Sequence, residues 1–128
     1  MTLCKSNNID AKFEADDIPE LNIEPTDLSS IFSNILNNAV EANLKLIESE
    51  RYISLKIFCY KNYLSAIIKN PYKHTIMEDN GIFITDKKDT LFHGYGLRSA
   101  KSSIERYGGT FKYSYENNVF TSMVMLPI

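Results

Sequence analysis

PTDLSSIFSNILNNAVEANLKLI, residues 25 to 47, is the stretch on which the reading of the whole chain turns. Leu28, Ile31, Phe32, Ile35, Leu36, Ala39 and Val40 recur at steps of three and four. That spacing predicts one long amphipathic helix from Pro25 to Ile47. Pro25 suits the start of such a helix, and Thr26 or Asp27 could cap it. Four asparagines interrupt the pattern: Asn34, Asn37, Asn38 and Asn43. Each costs about half a kcal/mol or more against alanine inside a helix. At about 100° per residue, Asn34, Asn38 and Glu41 share a strip beside the apolar face. That strip lies at the rim of a core, where a ligand can reach an amide. Read alone, the same pattern also fits a surface helix in an asparagine-rich chain.

The chain has 128 residues, 44% hydrophobic, with a formal net charge of −2. That length fits a single domain over 1–128 with a real core. Interspersed charge of both signs argues against nucleic acid as a partner, since such domains carry a basic stripe. No apolar run is long enough to span a membrane, and no signal peptide is visible. Cys4 and Cys59 lack metal-ligand or C-x-x-C spacing, so a reduced, cytoplasmic setting is expected, with Cys59 buried in a strand.

On either side of the helix the period changes from 3.6 to 2. Asp10 to Asp17 alternates weakly and reads as an edge strand. Arg51 to Tyr60 alternates clearly: Ile53, Leu55, Ile57 and Cys59 point one way. Lys61-Asn62 then forms a turn, and Tyr63 to Lys69 returns as the second strand of a hairpin. Asn70, forced to be extended by Pro71, is expected at the last rung. Residues 72 to 92 show little periodicity and read as a mostly irregular, mobile segment, and a loop that long in a compact domain is usually functional or disordered. Leu97, Ala100, Ile104 and Tyr107 mark a second helix, stopped by Gly108-Gly109. Thr110 to Tyr115 and Val119 to Leu126 close the chain as another hairpin around residues 116–118. The expected fold is α+β: a two-layer α/β sandwich with a mixed, mainly antiparallel sheet of about five strands and two or three helices on one face.

Three sites bear on chemistry. His93-Gly94-Tyr95-Gly96-Leu97 leaves backbone N–H groups open just before a helix start, which suits a phosphate. It is also compatible with an ordinary turn, and it is not a dinucleotide fingerprint. Asn70 at a strand end offers an amide oxygen to an exocyclic amine of a base, or serves simply as a turn residue. Lys87 and Lys88, just upstream of the glycines, are mobile point charges for phosphate oxygens, or a solvated pair. His74 and His93 have no metal-ligand spacing. Tyr52, Tyr60, Tyr113 and Tyr115 read as sheet-face packing.

In this order and spacing the sites resemble the GHKL family of ATP-binding domains, and within it the catalytic domain of sensor histidine kinases. Leu28 to Ala42 matches the N-box, Asn70 falls at the adenine position of the G1 box, and His93 to Leu97 has the form of the G2 box. "EA" after the N-box, a short middle segment and "HGxGL" look most like the quorum-sensing agr-type receptor kinases. The resemblance implies ATP and Mg²⁺ as cofactors. Asn38 would be the metal ligand, and Asn34 would support phosphate or metal-bound water, making these two the catalytic residues. Asn70 would contact adenine, Gly94, Gly96 and Leu97 would shape the phosphate loop, and Lys87 or Lys88 would meet its charge. Ala42, Tyr72 and His93 would complete the nucleotide site. Partners would be a phosphoacceptor dimerisation helix of the parent receptor and a response regulator. The chain itself would be a monomer on the cytoplasmic side of a membrane receptor.

Two departures from the family pattern stand out. The adenine position usually holds Asp, and here it is Asn70. The position three after the metal-binding Asn is often basic, and here it is Glu41, with Lys45 one turn further. Members that hydrolyse ATP generally carry Glu where this chain has Asn34, which cannot accept a proton. Phosphoryl transfer to a protein is therefore expected over steady hydrolysis. Two other readings remain: a degenerate GHKL domain that only binds a partner, and a serine kinase of the anti-sigma-factor type.

Overall fold

A computed structural model describes residues 5–73, 77–79, 82–84 and 95–128, with backbone only at 77–79, 82–84 and 95. Strand β1 (Asp10–Ala15) leads through a connector into helix α1 (Pro25–Leu44). Strands β2 (Tyr52–Tyr60) and β3 (Tyr63–Pro71) follow, then the short β4 (Met77–Asp79) and β5 (Ile82–Ile84). Helix α2 (Tyr95–Arg106) precedes the closing strands β6 (Thr110–Glu116) and β7 (Val119–Pro127). The main sheet has five strands in the order β1-β2-β3-β7-β6. Only β1 and β2 run parallel, because α1 is the crossover between them; every other pair is a hairpin or an antiparallel neighbour. This is the expected mixed, mainly antiparallel α+β sandwich.

One sheet face and the two helices enclose the core. Ile31, Ile35 and Ala39 of α1 and Leu97, Ala100 and Ile104 of α2 are buried, as their spacing requires. They meet Ile53, Ala66, Ile68, Phe120, Val124 and Leu126 from the facing side of the sheet. Tyr113 and Tyr115 share that face, and the Tyr113 ring stacks on Phe120 at 5.7 Å between centroids. They pack the sheet, as expected.

Several boundaries differ from the sequence reading. Helix α1 ends at Leu44, not Ile47: Lys45 and Leu46 donate to the Ala42 and Asn43 carbonyls, and Ile47 is exposed. Neither Thr26 nor Asp27 is the cap; Glu24 holds that place without a side-chain bond, and Pro25 fills the first helical position. Asp27 instead accepts a hydrogen bond from the Tyr107 hydroxyl, while the Glu24 N–H donates to the same oxygen at 3.4 Å. The start of α1 is thereby tied to the end of α2. Strand β3 runs past Asn70 to Pro71, which pairs with Val119. Residues 77–79 and 82–84 form a small antiparallel sheet where an irregular loop was expected. Cys59 is exposed rather than buried. It points to the helix side near the end of β2, in register with the buried Leu64 of β3.

Turn chemistry explains the remaining register. Asn117 and Asn118 take φ of 53° and 61°, the left-handed pair that a two-residue hairpin loop needs. After α2, Gly108 sits at φ 79°, its N–H bonding the Glu105 carbonyl at 3.0 Å and the Gly109 N–H bonding the Ile104 carbonyl at 2.9 Å. This pair of bonds is the Schellman closure. A Cβ at Gly109 would overlap the Met125 carbonyl oxygen, so the main chain passes β7 only because no side chain is there. Gly108→Ala places alanine in the left-handed region and should lower stability by about 1 kcal/mol, read as a shifted urea midpoint with an unchanged slope.

Candidate functional site

The asparagines of α1 divide by environment. Asn43 is fully buried. Its Nδ2 donates to the Ala39 carbonyl at 2.8 Å and the Tyr52 carbonyl at 3.1 Å, and its Oδ1 accepts from the Tyr52 N–H at 2.9 Å. The side chain acts as a neighbouring strand for the first residue of β2. Asn38 is also buried, at 6% exposure, yet nothing among the described residues hydrogen-bonds its amide. Its amide is not among the side-chain polar groups sealed from solvent without a hydrogen bond, so a ligand can reach it without being needed to satisfy it. Asn34, one turn earlier on the same side of the helix, is half-buried.

Helix α2 begins beside this strip. A Cβ placed on Gly96 would stand 3.8 Å from the Asn34 Oδ1, so the second residue of α2 and the Asn34 amide are neighbours. The start of α2 carries about half a positive charge and unpaired N–H groups. Two predicted sites far apart in sequence thus meet in space. Leu97 is fully buried and anchors that helix start from below rather than facing outward. Ala42, also buried, packs in the core cluster.

Asn70 lies at the same end of the sheet. Ser54, near the start of β2, pairs with Lys69, and Asn43 fixes the helix end to Tyr52 of the same strand. Asn70 is 1% exposed and its Nδ2 donates to the Pro71 carbonyl at 3.0 Å. With the amide nitrogen so engaged, Oδ1 is left as the acceptor. Tyr72 is buried, its ring edge-on to Tyr115 at 5.9 Å between centroids. Its N–H donates to the Asn118 carbonyl at 2.8 Å, and its carbonyl accepts from the Tyr115 hydroxyl at 3.0 Å. These bonds fix the chain just after Asn70, and the Lys73–Glu50 ion pair follows them. The predicted residues Lys87, Lys88, His93 and Gly94 lie outside the described residues.

Among the described residues, charge at the site is sparse. Burial raises the Glu41 carboxyl above its ordinary value, and the Lys45 charge one turn on opposes that shift. A raised carboxyl in the folded state adds stability below the unfolded value of 4.5 and loses it as pH rises through the folded value. Glu41→Gln should therefore raise the neutral-pH melting temperature slightly and flatten its decline between mildly acidic and neutral pH, in thermal scans across that range. Among the described residues no three His, Cys, Asp or Glu side chains could hold a metal ion. The amide oxygen of Asn38 is a hard donor, of the kind that suits Mg²⁺ together with water and ligand oxygens.

Comparison with known proteins fixes the family. The GHKL domain profile matches residues 23–127, and the chain belongs to that family. Its fold is shared with solved histidine kinase structures. The nucleotide-free catalytic domain of the histidine kinase ThkA superposes with a TM-score of 0.74 at 20% identity, over 97% of this chain and 82% of that one. The histidine kinase AdeS of Acinetobacter baumannii gives 0.71 at 11% identity, over 98% of this chain but only 57% of its own. This chain thus spans little more than half of the AdeS structure. No curated protein matches.

Proposed function

We propose that this chain is the ATP-binding catalytic domain of a two-component sensor kinase, transferring the γ-phosphoryl group of Mg-ATP to a histidine on a separate dimerisation helix. The observation that carries this reading is the meeting of Asn34 with Gly96 at the start of α2, one turn from the Asn38 amide, which no described residue hydrogen-bonds. In it, Asn38 supplies an amide oxygen to Mg²⁺, Asn34 supports the phosphates or metal-bound water, and the Gly94–Leu97 turn and α2 start receive phosphate charge. Asn70 offers Oδ1 to the adenine amine. Lys87 or Lys88 adds positive charge, and Ala42, Tyr72 and His93 border the nucleotide. Bound Mg²⁺ supplies neutralisation of triphosphate charge, which the neutral amides cannot.

Asn34 cannot act as a base for water, so the site favours transfer over hydrolysis. Phosphoryl transfer rests mainly on positioning and electrostatics, which asparagines and a helix start can provide. The family likeness and the histidine kinase neighbours favour a histidine acceptor with a response regulator downstream. The resemblance of its motifs to agr-type kinases is what suggests the cytoplasmic side of a membrane receptor and peptide quorum sensing as the signalling context. No described helix is itself long and apolar enough to cross a membrane.

The acceptor is tested by mixing the chain with Mg-ATP labelled at the γ position and a dimerisation helix from its parent receptor. Acid-labile, base-stable label on the helix is expected. An acid-stable phosphoester on a separate antagonist protein would favour the serine kinase reading instead.

A further inference from the structure

The sheet face turned away from the helices has a composition that solvent alone does not explain. A solvated face of an antiparallel sheet normally alternates to polar residues. Here the register sets Lys56, Ile67, Met123 and Lys112 in one row across β2, β3, β7 and β6. The next row contains Phe58, Ser65 and Met125, and beyond it lie Tyr60 and Tyr63. Tyr60 is 59% exposed, Tyr63 38% and Met123 36%. The result is a contiguous apolar strip, not a scattering of single residues.

Lysines border this strip. Lys56 and Lys112 stand at its two sides, Lys69 at one end and Lys61 at the hairpin tip, all exposed. None of the four forms an ion pair with a described carboxylate. Lys56 leans over the Phe58 ring at 5.7 Å and Lys61 over the Tyr60 ring at 5.4 Å. The outer positions of β2, β3 and β7 include no acidic residue; on edge strand β1 Glu14 stands opposite Lys56 in register, with Lys12 and Asp10 beyond it, and Glu116 ends β6. A chain of net charge −2 thus gathers positive charge around one apolar strip.

We infer that this face docks an acidic amphipathic helix of a partner protein, with its apolar stripe on Ile67, Met123, Met125 and Phe58 and its carboxylates toward Lys56 and Lys112. Three strand spacings of about 4.8 Å put the flanking lysines about 14 Å apart. A helix about 10–12 Å across fits between them. Methionines adapt to a range of apolar side chains, so the face selects charge pattern more than exact sequence. The surface is opposite the helix layer that carries Asn34, Asn38 and Gly96, and this inference does not depend on nucleotide binding.

The test uses a fluorescent helical peptide with a leucine stripe flanked by glutamates, a lysine-flanked counterpart, and vesicles of phosphatidylcholine with about one-third phosphatidylserine. Saturable binding of the acidic peptide alone is expected, weakening at least tenfold between about 50 and 200 mM salt. Ile67→Glu and the double variant Lys56→Glu/Lys112→Glu should each weaken it about tenfold or more, with far-UV circular dichroism and affinity for the ATP analogue unchanged. If Ile67→Glu does not fold, the lysine variant decides. Equal binding of both peptides, or unchanged affinity in the variants, overturns the inference. Binding of vesicles but not peptide overturns it in favour of a membrane surface, and self-association abolished by the same variants overturns it in favour of a second copy.

Discussion

Asn38→Ala is expected to lower Mg²⁺-dependent affinity for an ATP analogue by about ten- to a hundredfold, while leaving the melting temperature nearly unchanged. The size follows from losing one charge-assisted contact of about 1.5–3 kcal/mol at roughly 1.4 kcal/mol per decade. The unchanged stability follows from the geometry: among the described residues the Asn38 amide has no hydrogen bond to lose. Titration calorimetry and thermal melting on the same preparation check both halves. A variant that binds as tightly as the parent would remove Asn38 from the site. A variant that also melts far below it would make Asn38 a structural residue.

Asn43→Ala, five residues further along the same helix, should do the opposite. It removes the side chain that bonds the Ala39 carbonyl and both main-chain groups of Tyr52. Tyr52 N–H and C=O would be left at the sheet margin beside a buried void. Net hydrogen bonds of about 1 kcal/mol each, plus the cost of stranding buried polar groups, give about 3 kcal/mol. For a domain this size that corresponds to roughly 10 °C in melting temperature, and a large part of a typical 5–15 kcal/mol stability. Asn43→Asp keeps the acceptor for the Tyr52 N–H but sets a carboxylate against two carbonyl oxygens, so it should not rescue. A melting temperature within about 2 °C of the parent would show that the helix–strand splice contributes little.

These two asparagines show what the sequence could and could not reveal. Helix α1 was legible because Ile31, Ile35 and Ala39 repeat at helical spacing, and the hairpins because β2 and β7 alternate cleanly. The strip holding Asn34 and Asn38 was legible from the same periodicity. The structural role of Asn43 was not, because its partners are main-chain groups of β2, and periodicity says nothing about where a strand starts relative to a helix end. Cys59 illustrates a related limit: alternation gives the side of the sheet a residue points to, but not whether that position is covered. Strands β4 and β5, three residues each, are too short for any period to register. The Tyr107 hydroxyl reaches Asp27 across 80 residues, a contact that only the packed helices create.

Asn70, a departure from the family pattern, and Asn34, the residue that separates transfer from hydrolysis, set the chemistry of the proposed site. Asn70 presents a neutral acceptor in a position nine-tenths and more enclosed, so recognition of a base there rests on one hydrogen bond rather than on charge. Asn34 holds its oxygen beside Gly96 with no proton-accepting capacity near neutral pH. Both choices suit a domain that binds nucleotide modestly and hands its phosphoryl group to a protein acceptor.

The most direct measurement is calorimetric titration of the purified chain with a non-hydrolysable ATP analogue, with and without Mg²⁺. The account predicts saturable binding that Mg²⁺ strengthens. Absence of binding at millimolar analogue, or binding indifferent to Mg²⁺, would contradict it and leave the domain as a partner-binding relative of its family.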